Sequence, residues 1–190
     1  MSKLISVLKE EIHLDIYEDH YIIDKILPFV LNSSIDELFS QANDCIDDEN
    51  FSESLIFYDL ILKQDSKNIH ALIDKGTTLQ NLGRIKSAIR SYDKALDISP
   101  NNIDALINKG SAFHLDKKYS DAISCYDRAL KIDKKCPMAL AYKGLSLAEL
   151  GQLKEAITYF KNALSIDKHY ALAQLSKDTA QDLLKSLQGK

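Results

Sequence analysis

Apolar residues recur along most of this chain at three- and four-residue spacing, as one face of an amphipathic helix requires. Ser34 followed by Glu37 has the pattern of a capping box that opens the first of these segments. The periodicity predicts helices over residues 35–48, 51–64, 69–82, 86–98, 103–116, 119–132, 137–150 and 153–166. Only a few residues separate neighbouring segments, so the sequence predicts an all-α protein built from helical hairpins.

A second pattern repeats every 34 residues. It is shared by small and aromatic residues at set offsets: Gly76, Gly110 and Gly144; Ala88, Ala122 and Ala156; Tyr92, Tyr126 and Phe160; Ala95, Ala129 and Ala163. A fixed period of about 34 indicates stacked two-helix repeats. The small residues are expected to let the two helices of a hairpin approach closely. The aromatic residue is expected to fill the space toward the next hairpin.

With the glycine as its eighth position, the unit closely resembles the tetratricopeptide repeat. Full copies begin at Ile69, Ile103 and Pro137, and a weaker first copy begins at Ile35. The resemblance covers residues 35 to about 170. It implies an α-solenoid of stacked helix-turn-helix repeats, with about four units and capping helices at both ends. The predicted division is 1–34, 35–170 and 171–190.

The turn inside each unit is predicted to need a left-handed residue at the end of its first helix. Gly83 and Gly151 occupy that place in two units, and glycine is favoured there. Glu49 and Lys117 occupy it in the other two. These two residues are expected to be more strained or to use another cap.

The segment 171–187 predicts one more amphipathic helix. Its apolar stripe is assigned to six residues: Leu172, Leu175, Ala180, Leu183, Leu184 and Leu187. One interpretation is a capping helix over the last hairpin, which stacked repeats need for solubility. The other is a helix that is offered to a partner.

Residues 1–34 are rich in Leu, Ile and Val but do not continue the repeat. They predict two helices, at about 2–11 and 16–31, because Pro28 ends or kinks a helix. This segment is interpreted as an N-terminal cap on the first unit. The alternative is a homodimer formed through residues 1–31.

The net charge of −4 is unevenly distributed, with −10 over residues 1–68 and +6 over residues 69–190. Such asymmetry favours head-to-tail contacts between copies or a basic partner for the acidic half. Solvated helix faces are the alternative. No nucleic acid partner is expected, because the basic residues are spread among acids rather than gathered in a stripe with aromatics.

No membrane contact is expected, because no apolar run approaches the ~18 residues of a spanning helix. Charged residues interrupt the only early apolar run, so no signal peptide is predicted. The three cysteines, Cys45, Cys125 and Cys136, show no paired spacing. That pattern is typical of reduced thiols in a cytoplasmic protein.

The sequence predicts that the protein is not an enzyme and has no cofactor. It lacks a glycine-rich phosphate loop, a paired-cysteine zinc motif and a nucleophile elbow. The acidic stretch Asp44, Asp47, Asp48 and Glu49 lacks the glycine and the spacing of a calcium loop, so no metal is expected there.

The resemblance implies a non-catalytic interaction module, an adaptor or scaffold that binds a peptide or helix in a concave groove. In the family, positions two, five, six, nine, twelve and thirteen of each first helix face that groove. The residues proposed to contact a partner are Asn43, Asp74, Thr77, Asn108, Ser111, His114, Met138, Tyr142 and Leu145. The alternative function is a self-assembling scaffold that oligomerises through its terminal helices.

An acidic chaperone tail is not expected as the partner. The family's carboxylate clamp needs lysine and arginine at set groove positions, and none of these positions here is basic. The end built from Met138, Tyr142 and Leu145 is apolar and suits an amphipathic helix. The favoured interpretation is that Leu172 and Leu175 of the chain's own last helix fill it.

Overall fold

The structure, a computed structural model, describes residues 33–188 and is helical throughout its regular elements. The helices in chain order are α1 (Ile35–Asp47), α2 (Phe51–Gln64), α3 (Ile69–Asn81), α4 (Ile85–Ile98), α5 (Ile103–Leu115), α6 (Tyr119–Ile132), α7 (Pro137–Glu149), α8 (Leu153–Ile166) and α9 (Ala171–Gln188). The predicted helices are therefore confirmed to within one residue at each end. The predicted helices within residues 1–31 lie outside the described residues.

The chain divides into two compact units, with the boundary between Ser91 and Tyr92 inside α4. In the first unit, α1 packs on α2 and α2 packs on α3. Phe57 and Tyr58 of α2 are buried there, and the ring of Tyr58 meets that of Phe39 edge-on at 6.3 Å. The α1–α2 hairpin is thus a packed unit even though its sequence departs most from the repeat.

In the second unit, α5 pairs with α6 and α7 pairs with α8. α6 also packs on α7, α8 packs on α9, and α7 lies between α5 and α9. The core beneath α7, α8 and α9 includes Leu140, Leu147 and Phe160. Together these contacts describe the α-solenoid arrangement of successive hairpins that the repeat period predicts.

Glycine at the eighth position is required by the aromatic residue of the same hairpin. A Cβ added to Gly110 would lie 2.5 Å from Cε1 of Tyr126, and one added to Gly144 would lie 2.6 Å from Cε1 of Phe160. The aromatic residue therefore fills space inside its own hairpin. Tyr126 also reaches the next hairpin, where its ring centroid is 6.0 Å from that of Tyr142.

The turn after the first helix is left-handed in all four repeats. Gly83 and Gly151 have φ of 71° and 76°, and Glu49 and Lys117 have φ of 58° and 59°. The backbone therefore keeps one geometry, and the two non-glycine residues carry the strain of a positive φ.

The starts of the helices use side-chain caps where the sequence supplies them. Ser34 and Glu37 form the predicted capping box, with both reciprocal hydrogen bonds present. The side chains of Asn68 and Asn102 accept from the backbone of Ala71 and Ala105, at 3.0 and 2.8 Å. These bonds satisfy backbone donors that the first helical turn leaves unpaired.

Candidate functional site

Three of the proposed contact residues lie in the first unit. Asn43 on α1 and Thr77 on α3 are exposed, and Asp74 on α3 is half-buried. The Thr77 hydroxyl donates to the carbonyl of Ile73 one turn earlier, at 3.2 Å. Ile73 itself is buried. Position five of this repeat therefore belongs to the core and is not available to a partner.

Asp74 lies in an unusual environment for a carboxylate. Burial raises its pKa, and the nearby His70 partly opposes that shift. Burial, followed by the charge of Asp74, raises the pKa of Tyr58 to about 12. An additional acidic ligand beside Asp74 would meet an existing negative charge that is poorly solvated.

The other six proposed residues lie in the second unit, on two helices that pack against each other. They are Asn108, Ser111 and His114 on α5, and Met138, Tyr142 and Leu145 on α7. All six are at least partly accessible. Ile107 and Ala141, one position before Asn108 and Tyr142, are buried, which limits the accessible positions to one side of each helix.

We name this accessible side the first-helix face, defined by positions two, six, nine and thirteen of α5 and α7. Two of its members are large apolar side chains in solvent: Leu115 is 54% exposed and Met138 is 46% exposed. Asp104 and Glu149 are its only charged members, and both are exposed. The face therefore carries apolar side chains at the end of α5 and along α7, and one carboxylate each at position two of α5 and position thirteen of α7.

A polar relay connects this face to the core. The hydroxyl of buried Tyr126 interacts with Ser146, and Ser146 Oγ lies 2.9 Å from Nδ1 of His114. The His114 ring meets Tyr119 edge-on at 5.2 Å, and the Tyr119 hydroxyl donates to Glu149 at 3.3 Å. Since Ser146 is completely buried, it fixes the orientation of the imidazole and is not accessible as a nucleophile.

Burial lowers the pKa of His114, and the charge of Glu149 only partly opposes this. The unfolded chain therefore takes up the proton first as the pH falls below the ordinary histidine value of about 6.5. His114 should cost the folded state stability between that value and its own lower pKa. We expect the wild-type melting temperature to fall more than that of His114→Gln between pH 7.5 and pH 5.5. An equal fall of the melting temperature in the two proteins would contradict the lowered pKa of His114.

The expectation that α9 fills the apolar end of the groove is wrong. Leu175 is 69% exposed and Met138 also remains in solvent. The predicted stripe of α9 is displaced, because its buried members are Ala173 and Ala180. Small side chains let α9 lie close to α7 and α8, and that approach turns several leucines away from the core.

Within residues 33–188, no group of three His, Cys, Asp or Glu side chains is arranged to hold a metal ion. Over the same residues, no helix is long and apolar enough to cross a membrane.

Sequence profiles agree with the repeat boundaries that the helices show. The tetratricopeptide repeat profiles match residues 103–136 and 137–170, and a TPR repeat profile matches residues 76–116. Together they cover residues 76–170, half of the chain. The chain belongs to the tetratricopeptide repeat family. None of the curated proteins matches it.

Solved tetratricopeptide repeat structures share its fold. A crystal structure of MamA has a TM-score of 0.67 at 22% identity, covering 78% of this chain and 81% of that one. The Sgt2 TPR domain from Aspergillus fumigatus has a TM-score of 0.62 at 18% identity, covering 64% and 82%. The first TPR of Spaghetti (RPAP3), bound to the HSP90 peptide SRMEEVD, has a TM-score of 0.60 at 25% identity, covering 64% and 96%.

The place of α9 in the repeat series of this tetratricopeptide repeat protein was not predicted from the sequence. A signal was present, since Ala71, Ala105, Ala139 and Ala173 also stand 34 residues apart and all four are completely buried. Lysine recurs with the same period just after them, and Lys143 donates to Asp127 of the preceding hairpin at 2.6 Å. The repeat pattern therefore extends into α9, beyond the last complete hairpin.

Proposed function

We propose that this protein is a non-catalytic protein-interaction module whose first-helix face binds a peptide or helix. The observation that carries the proposal is the exposure of Leu115 and Met138 beside the half-buried Tyr142 and Leu145. Large apolar side chains that cluster at a protein surface usually mark an interaction site. The relay through His114 and Ser146 supports the proposal, because it holds the two helices of the face in a fixed relation.

The charges of the first-helix face disfavour an acidic peptide as the partner. The RPAP3 domain is bound to a peptide with two glutamates and an aspartate. The first-helix face of the present chain has Asp104 and Glu149 and no lysine or arginine. We therefore propose a protein or peptide partner other than an acidic chaperone tail.

We do not propose a nucleic acid partner. Lys109 pairs with Asp93 at 2.6 Å and Lys143 pairs with Asp127 at 2.6 Å. These lysines are thus engaged between hairpins instead of forming a basic stripe for phosphates.

The self-assembling scaffold stays a prediction from the sequence. It depends on oligomerisation through the terminal helices, and the N-terminal ones, predicted within residues 1–31, lie outside the described residues. The similarity to MamA is a similarity of fold. It does not favour either the peptide-binding module or the self-assembling scaffold.

We also propose a cytoplasmic location. Cys45 and Cys125 are buried inside helices, and burial raises the pKa of Cys125. Such thiols behave as small apolar core residues, which suits a reducing compartment.

The proposed function is tested with matched charge substitutions. Leu115→Glu with Met138→Glu changes two exposed residues of the first-helix face, and Ile132→Glu with Ile166→Glu changes two similarly exposed residues at the ends of α6 and α8. In affinity capture from the native cell extract, the first pair should reduce the retained partners about tenfold, because burying one such side chain contributes more than 1.4 kcal/mol. The second pair should retain them.

All four substitutions lie at exposed positions, so the melting temperatures of both double variants should stay near that of the wild type. Equal capture by the two variants would place the interaction on another surface and overturn the proposal.

A further inference from the structure

A cavity of about 390 Å³ lies between α8 and α9 in the second unit. Its apolar lining residues are Ile157, which is buried, and Leu184, which is half-buried. Its polar lining residues are mostly exposed: Lys154, Thr158, Lys161, Gln181, Lys185 and Gln188. The cavity therefore has an apolar floor and a basic rim. No lining residue belongs to α5 or α7, so the cavity is separate from the first-helix face.

The lysines of α8 supply the unpaired charge of this rim. Within residues 33–188, neither Lys154 nor Lys161 forms an ion pair. Lys185 lies 3.4 Å from Asp182 of its own helix, and the two side chains are 79% and 78% exposed. An ion pair that is so exposed contributes little. Of the described residues that line the cavity, none is an aspartate or a glutamate, so the rim keeps a net positive charge.

Lys161 of the rim replaces an acid of the repeat. The same position holds an aspartate in the three preceding repeats: Asp59, Asp93 and Asp127. Each of these carboxylates pairs with a lysine of the following first helix: Lys75, Lys109 and Lys143. The corresponding Lys177 of α9 lies 3.1 Å from Gln174 and 3.5 Å from Asp178 of its own helix. α8 thus presents a cation to solvent where the other second helices use a carboxylate inside the stack.

A segment near the other end of the sequence has the complementary composition. Residues 10–24 contain six aspartates or glutamates and no lysine or arginine, a net charge of −6 with histidine neutral. Large apolar residues are interspersed among these acids: Ile12, Leu14, Ile16, Tyr17, Tyr21, Ile22 and Ile23. The segment lies outside the described residues. Its carboxylates complement the lysine rim of the cavity, and its apolar side chains complement the floor.

We propose that residues 10–24 of one copy of this chain dock in the cavity between α8 and α9 of a second copy. Every copy carries both surfaces, so the contact joins unlike surfaces and does not pair two acidic segments, which would repel each other. Carboxylates of the segment would lie at Lys154 and Lys161, and its apolar side chains would cover Ile157 and Leu184. The contact uses no residue of the first-helix face, so this proposal and the proposed function can fail independently.

Exchanging the charges of the two surfaces tests the contact in the full-length protein. We expect the wild type to associate in sedimentation equilibrium. Lys154→Glu with Lys161→Glu should weaken that association at least about tenfold, because like charges then meet, and Glu11→Lys with Glu18→Lys should do the same. An equimolar mixture of the two double variants should associate again, because the acidic cavity of one then meets the basic segment of the other.

Lys134→Glu with Lys135→Glu is the matched control. It makes the same change in net charge at two exposed lysines that do not line the cavity, so the association should be unchanged. A wild-type protein that stays monomeric overturns the proposal, whether the cavity is then filled by the segment of the same chain or by another protein. A mixture that fails to associate, or an equal loss in the control, also overturns it.

A synthetic peptide of residues 10–24 gives a second measurement that needs no variant protein. Added in excess to the wild type, it should compete for the cavity and lower the mean mass to that of the monomer. A peptide with its six acids replaced by asparagine or glutamine should not. Equal effects of the two peptides, or no effect of the acidic one, contradict the proposed contact.

Discussion

Replacing Phe160 by alanine is expected to lower the free energy of unfolding by about 3–5 kcal/mol, the usual cost of removing a fully buried aromatic ring. The ring is completely buried in the core of the last hairpin. It lies against the backbone at Gly144, where no side chain is available to move into the space. Neighbouring residues are packed on both sides, so the cavity is expected to persist.

Urea denaturation of the full chain measures this effect. Lys161→Ala provides the control, because Lys161 follows Phe160 directly on α8 and is exposed. Its substitution should change the free energy of unfolding by no more than about 0.5 kcal/mol. A loss below about 1 kcal/mol for Phe160→Ala would mean that the aromatic residue does not hold the hairpin together.

Gly110→Ala is expected to destabilise the protein by about 1–3 kcal/mol, the cost of overpacking a filled core. The sign of the change in stability is informative, because replacing glycine by alanine inside an unconstrained helix stabilises that helix by about 1 kcal/mol. The added methyl group would lie 2.5 Å from Cε1 of Tyr126, inside van der Waals contact. The ring is completely enclosed and cannot move away without disturbing Ser146 or Tyr142.

A double-mutant cycle with Tyr126→Leu assigns that cost to the pair. In the leucine background, Gly110→Ala should cost at least 1 kcal/mol less than in the wild type, because the clashing ring atoms are gone. Additive effects would show that the glycine is needed for some other reason, such as backbone conformation.

The sequence was sufficient to predict the helices and their turns, because both depend on local signals. Gly83 and Gly151 each indicate a left-handed turn. Glu49 and Lys117 stand at the same place in the 34-residue period, so the same turn is expected there, and both have a positive φ. The capping box at Ser34 likewise needs only residues three apart. These features are short-range, so they do not depend on knowing which helices meet.

The orientation of α9 could not be predicted in the same way. Six apolar residues can be placed on a broad stripe, but hydrophobicity does not tell which part of the stripe is buried. The buried part is set by Ala173 and Ala180, whose small size permits close packing on α7. Leucine is the stronger apolar signal, so the sequence favoured leucines of α9 as the residues that fill the apolar end of the groove. Leu175 lies in solvent instead.

The contact residues show a similar division. Asn108, Met138 and Tyr142 lie at accessible positions, and their contact with a partner stays a prediction that comes from the resemblance to the family. The relay from Tyr126 through Ser146 to His114 depends on side chains from three helices. Such a network has no signature in a single segment of sequence.

Methyl NMR of the full chain tests the central claim most directly, because it reports where on the surface a ligand binds. During titration with the protein partner isolated by the affinity capture, the methyl signals of Leu115, Met138 and Leu145 should shift, while those of Ile132 and Ile166 should not. Shifts confined to Ile132 and Ile166, or none at Met138 and Leu145 at saturation, would contradict the assignment of the first-helix face as the binding surface.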